Sequence, residues 1–145
     1  MAKLPFEVLG VDHTGLAPKD PAKTHSFFSK ILHLPHLGNE FIADQKTNTD
    51  IFGSSENVGH SGTTRLEILI DQGNGPVGKF LEKKGSGIHH IALRVSDVAS
   101  ALTYLKSQNV KLIDEIPRCG AHKTLIGFIH PESTGGLLIE LVQSL

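Results

Sequence analysis

Two stretches decide the reading: VDHTGLAPKD at 11–20 and IHHIALRVSD at 88–97. Laid over one another at an offset of 77 residues, they bring His13 onto His90, Leu16 onto Leu93 and Asp20 onto Asp97. Both alternate with the period-two pattern of a half-buried strand. In the second copy Ile91, Leu93 and Val95 point one way, and His90 and Ala92 the other. In the first copy His13, Gly15 and Ala17 share a face. Each strand therefore carries a bulky apolar face and an opposite face on which small residues leave room beside a histidine.

Each strand runs into a helix signal. Asp20 before Pro21 reads as an N-cap followed by the first helical position, and Asp97 is the equivalent cap. Phe27, Phe28, Ile31 and Leu32 are expected to form one apolar helical stripe. Val98, Ala101, Leu102 and Leu105 form the other. Each module closes on a strand with one acid in it. In TTRLEILID at 63–71, Leu66, Ile68 and Ile70 face one way and Arg65, Glu67 and Leu69 the other. In GGLLIELVQ at 135–143, Ile139 and Leu141 oppose Leu138, Glu140 and Val142. Glu140 interrupts an apolar run, and a buried carboxylate needs a compensating partner. Further strands are expected at 37–45, 50–52, 112–116 and 124–130, a short joining helix at 76–84, and a loop at 53–62. The chain thus reads as one α+β domain of two modules, about 8–72 and 85–145, joined by a helical linker.

Composition narrows the function. A chain of 145 residues, 39% apolar before counting its fifteen glycines, is of one-domain size and globular. Fourteen basic against fifteen acidic residues leave a charge of -1, which argues against nucleic-acid and membrane-surface partners. One cysteine excludes a disulfide scaffold and a thiolate zinc cluster, and Cys119 has no local sign of activation. No targeting signal or membrane span is evident. A cytoplasmic location is expected, or a mitochondrial matrix if a transit peptide has been removed.

Nine histidines are the conspicuous excess. If the modules pair face to face, His13 and Glu67 meet His90 and Glu140. Two imidazoles and two carboxylates suit one borderline divalent ion such as Co, Ni, Mn, Fe or Zn. His89 alternates away from His90 and reads as structural. His25, His33, His36 and His60 fall at helix ends or in loops and are expected to be solvated.

The chain resembles the vicinal oxygen chelate superfamily and, within it, the methylmalonyl-CoA epimerases. The matching segments are VDHTGLA at 11–17, GKFLEKKGSGIHHIALRV at 78–95, LIDEIPRCGAH at 112–122 and HPESTGGLLIEL at 130–141. The His, Glu, His, Glu pattern is shared with glyoxalase I and several lyases. The Gly-Ala-His segment and HP-x-STGG-x-LIEL are more particular to the epimerases. The resemblance implies paired βαβββ modules forming a curved mixed sheet around a metal site. It also implies one divalent metal per chain, cobalt favoured, a homodimer and an acyl-CoA substrate. The chain departs from the family at two turns. Ala43-Asp44-Gln45-Lys46 stands where similar epimerases commonly have Pro-Glu-Gln-Gly, and Lys123 stands where they have Gly after Gly-Ala-His.

The implied reaction inverts C2 of a 2-methylmalonyl thioester by proton transfer through an enolate. Glu140, a metal ligand, is then the first candidate for base. Asp50, before Ile51-Phe52, is the first candidate for the acid on the opposite face, and Asp44 the second. His122 and Lys123 are candidates for the CoA side of the pocket. Lys79, Lys83, Lys84 and Arg118 are further cations for its phosphates. The alternatives are a glyoxalase-I-type lyase acting on a glutathione hemithioacetal, with the same metal and a different pocket, or another metal-dependent vicinal oxygen chelate protein, an enzyme or a binding or resistance protein that sequesters or modifies a small molecule.

Overall fold

The computed structural model describes residues 3–53 and 64–145. Most of the expected loop at 53–62, including His60, lies outside the described residues. The chain divides into two compact units: His13–His89, and the residues up to Asp12 together with His90–Leu145.

In the His13–His89 unit the elements are β1 (Val8–Ala17, from His13 on), α1 (Pro21–Ser26), β2 (His36–Ile42), β3 (Thr47–Phe52), β4 (Arg65–Asp71) and α2 (Pro76–Lys84). The strand order is β2-β3-β4-β1. β1 and β4 run parallel, and the other two pairs are antiparallel. The other unit repeats this plan. β5 (Gly87–Val95) leads to α3 (Val98–Ser107), then β6 (Arg118–Gly120), β7 (Thr124–Ile129) and β8 (Ile139–Ser144). Its order is β5-β8-β7-β6, with β5 and β8 parallel and the rest antiparallel. Each is a βαβββ module whose first and last strands pair in parallel, the vicinal oxygen chelate fold that the resemblance implies.

The caps form as the sequence predicts. The Asp20 carboxylate accepts from Lys23 N–H (3.1 Å), and Asp97 accepts from Ser100 N–H (3.0 Å). The Ser100 N–H, and with it the Ser100 hydroxyl that also donates to Asp97, hold the Asp97 carboxyl below its ordinary pKa. The α3 stripe is buried as expected: Val98, Ala101 and Leu102 pack with Val95, Leu141 and Ile129, and Leu105 lies against them. Gly127 of β7 lets α3 approach; a Cβ there would stand 2.8 Å from a Leu102 methyl.

The α1 stripe is different. The helix stops after six residues and passes into a π-helical turn, Phe27–Ile31. The wider turn breaks the 3.6-residue period on which the stripe depends. Phe28 alone reaches the sheet, against Phe52 (5.4 Å between ring centres). Phe27, Ile31 and Leu32 are 49%, 67% and 55% exposed.

The strand expected at 112–116 reduces to a single bridge, Leu112 to Ile129. There Asp114 replaces the ladder: its carboxylate accepts from Phe128 N–H (2.8 Å), while the N–H groups of Ile113 and Asp114 both donate to the Phe128 carbonyl. The helix at 76–84 does more than join modules. Val77, Phe80 and Leu81 pack on Ala17 and Leu69 within the first unit.

Candidate functional site

Register places one histidine–glutamate pair in each unit. Gly15 lies opposite Glu67 across β1–β4, and Ala92 lies opposite Glu140 across β5–β8. In both modules the glutamate therefore faces the residue two beyond the histidine, so histidine and glutamate share a face on adjacent strands. His13 Nδ1 is 3.2 Å from Glu67 Oε2, and His90 Nε2 is 3.6 Å from Glu140 Oε2. All four residues are nearly closed to solvent, at 6%, 4%, 6% and 5%.

The environment of each pair differs. Arg65 Nε stands 3.8 Å from Glu67 Oε2. His90 packs edge-on to Phe128 (5.6 Å), which lies opposite Glu140 in the β7–β8 ladder. Ala92, Ile126, Phe128 and Val142, with Leu138, make this face apolar around its carboxylate. The Arg118 guanidinium caps Phe128 at 5.6 Å.

Both pairs fit divalent-metal ligation. Ligands about 2.0–2.2 Å from one ion stand roughly 3–3.6 Å from each other, the separation found within each pair. Imidazole with carboxylate is a borderline-ion donor set. Buried on strands, such carboxylates are costly without a positive partner.

The other expected residues divide. Asp50 lies opposite Ile68, whereas Ile51 lies opposite Glu67, so Asp50 points to the other face of the sheet. There its two oxygens are taken by His25 Nδ1 and His36 Nε2. Asp50 and Glu67 thus lie on opposite faces of the sheet, and one expectation is corrected: His25 and His36 are engaged by the Asp50 carboxylate rather than simply solvated. Asp44 sits in the 3-10 turn Ala43–Gln45. That turn is anchored: Gln72 N–H donates to the Lys46 carbonyl (2.9 Å), and a Cβ on Gly75 would stand 2.9 Å from the Gln45 carbonyl. Lys46, in the position of the family's glycine, is left-handed (φ 49°, ψ 42°). His122 and Lys123 are exposed on the β6–β7 turn, and both are also left-handed (φ 55° and 53°). The two departures from the family's glycines thus keep the backbone that glycine adopts without strain.

His89 packs on Phe80 (5.1 Å), and burial first, then Lys84, lowers its pKa. Of the cations considered for CoA, Lys84 lies over the Phe80 ring and Lys79 and Lys83 are exposed. Two features were not anticipated. Arg94 Nε meets Asp12 Oδ1 at 3.1 Å in a buried ion pair. Arg94 follows His90 and Ala92 at the same alternation, which was a usable sign. Glu40 lies opposite Thr49, itself opposite Leu69, and so shares the Glu67 face. The β2 irregularity between His36 and Gly38 hid that placement from the sequence pattern.

Residues 12–128 match the family model of the glyoxalase/bleomycin resistance protein/dioxygenase superfamily. Human mitochondrial methylmalonyl-CoA epimerase is 30% identical over 136 residues, covering 92% of this chain and 73% of that protein. The chain belongs to the methylmalonyl-CoA epimerase family. It is an enzyme of the isomerase class. A Bacillus subtilis relative, the uncharacterized protein YqjC, is 37% identical over 134 residues, 92% of this chain and 91% of that one. A solved methylmalonyl-CoA epimerase in complex with methylmalonyl-CoA and ammonium superposes with a TM-score of 0.87. It is 28% identical over 95% of this chain and 96% of that one. No helix among the described residues is long and apolar enough to cross a membrane.

Proposed function

We propose that this chain interconverts the C2 epimers of methylmalonyl-CoA with one divalent ion held by His13, Glu67, His90 and Glu140. The observation that carries the reading is the histidine–glutamate pair repeated at one register in two modules of an epimerase-family chain. A divalent ion so held supplies positive charge to substrate oxygens, where negative charge collects as C2 loses its proton. The resemblance favours cobalt and a homodimer.

C2 lies between a thioester and a carboxylate, so its C–H bond is weakly acidic. Glu140 takes that proton, and the C–H electron pair passes into an enolate shared with the thioester. The apolar wall of Ile126, Phe128, Val142 and Leu138 keeps water from the Glu140 carboxylate. Inversion then requires a proton delivered to the opposite side of C2. Asp44 is the candidate donor, because it stands where similar epimerases have the Glu of Pro-Glu-Gln-Gly, in a turn that ends on a left-handed Lys46 at the glycine position. Lys123 and His122 on the β6–β7 turn face the CoA portion of the substrate in this reading.

The test is incubation of the chain with a single C2 epimer. Equilibration to both epimers is expected, abolished by chelation, restored by a divalent ion and slowed by Asp44→Asn. One epimer persisting unchanged with cobalt, manganese, nickel or zinc supplied overturns the reading.

A further inference from the structure

On the opposite face of β3 from Glu67, three side chains from separate elements converge. His25 comes from the end of α1, His36 begins β2, and Asp50 sits in the middle of β3. One donor atom from each lies within 4.8 Å of the others. The carboxylate is shared, one oxygen to His25 Nδ1 and the other to His36 Nε2. Asp50 is buried at 5%, whereas the His25 and His36 side chains are 39% and 38% exposed. The rings stand on a common floor, each about 5 Å from the Phe52 ring (5.1 and 5.0 Å).

We propose that His25, His36 and Asp50 form a second divalent-metal site, distinct from the epimerase centre. Two imidazoles and one carboxylate match the donor set of borderline ions, with Zn2+ the natural probe. Charge supports a cation. A buried carboxylate is costly without a positive partner, and among the described residues no lysine or arginine pairs with Asp50. The shape supports it too. Asp50 and Phe52 close the inner side, and the exposed imidazole edges leave the outer side for water or another small ligand. The local backbone is irregular on both arms. A π-helical turn begins two residues after His25, and the β2–β3 register shifts just after His36. Irregularities of this kind recur where side chains are aimed at a function. An ion here ties the end of α1 to two strands of the same unit, so its main effect is on the stability of that unit.

The test counts zinc per chain in the full protein after loading and removal of excess metal. Two equivalents are expected for the wild type. His25→Ala/His36→Ala is expected to lose one equivalent and keep the other. His13→Ala/His90→Ala is expected to keep one, which the further change Asp50→Asn then removes. Loading is also expected to raise the melting temperature of His13→Ala/His90→Ala but not of its Asp50→Asn derivative. A folded His13→Ala/His90→Ala protein that binds no zinc overturns the second site. If that variant does not fold, His36→Gln in the wild-type background decides: loss of one of two equivalents supports the site, and unchanged zinc content overturns it. Because the count does not use turnover, it separates failure of this site from failure of the epimerase reading.

Discussion

Replacing Lys46 by glycine is expected to stabilise the protein while preserving the turn that carries Asp44. Lys46 holds φ 49° and ψ 42°, the left-handed region. A residue with a Cβ is disfavoured there by about 1–2 kcal/mol. Glycine removes that penalty, but its freer unfolded chain takes back about 0.5–1 kcal/mol. The balance is a gain of about 0.5–1 kcal/mol, or about 1–4 °C in melting temperature for a chain of this size. Scanning calorimetry reads the shift. Lys46→Ala is the control, since alanine retains the Cβ and the strain, and it should stay within about 0.5 kcal/mol of the wild type. Lys123→Gly (φ 53°) should bring a similar gain in stability. If Lys123 also meets a CoA phosphate, its loss should raise KM for the acyl-CoA about two- to fivefold, the worth of an exposed ion pair. Destabilisation by Lys46→Gly, or equal stabilisation by Lys46→Ala, would refute the claim that Lys46 holds a left-handed conformation strained by its Cβ.

The remaining expectations concern packing and pH. Gly127→Ala places a methyl 2.8 and 3.0 Å from the two Leu102 methyls, and Leu102 is only 1% exposed. Overpacking of about 1–3 kcal/mol is expected in urea unfolding. Adding Leu102→Ala should recover more than about 0.5 kcal/mol relative to the summed single effects, and strict additivity would contradict the contact. His89 has its pKa lowered by burial and by Lys84, so the folded chain binds fewer protons there than the unfolded chain. Its contribution is therefore complete above about pH 6.5, the ordinary histidine value, and is lost as pH falls below it. The difference in unfolding free energy between pH 7.5 and pH 5.5 should shrink in His89→Gln, and an unchanged difference would dismiss that residue as a source of acid sensitivity.

The repeated module was legible because its signals are local. Two strands with the same alternation, two aspartate caps and two apolar-flanked glutamates lie at matched positions, and each survives as a strand, a cap or a buried acid. What escaped depends on partners distant in the chain. Whether Asp50 faces Glu67 turns on β3 register, and one residue of slip moves a side chain to the other face. The stretch TNTDIF alternates too weakly to fix that register alone. His25 and His36 read as solvated because neither their acid nor its orientation is visible locally. The α1 stripe was misread because a π-helical turn leaves no mark in an apolar pattern. Arg94 was overlooked because its partner Asp12 lies 82 residues away.

In the proposed reaction Glu140 removes the C2 proton of methylmalonyl-CoA at a metal-dependent centre. Exchange of that proton with deuterated water, followed by proton NMR on the metal-loaded chain, tests it most directly. Wild type should exchange C2 fully, and Glu140→Gln, nearly isosteric but no longer a base, should slow exchange by about 10²–10⁴-fold. A metal-loaded wild type that leaves C2 unexchanged, or a Glu140→Gln variant that exchanges at the wild-type rate, would contradict it.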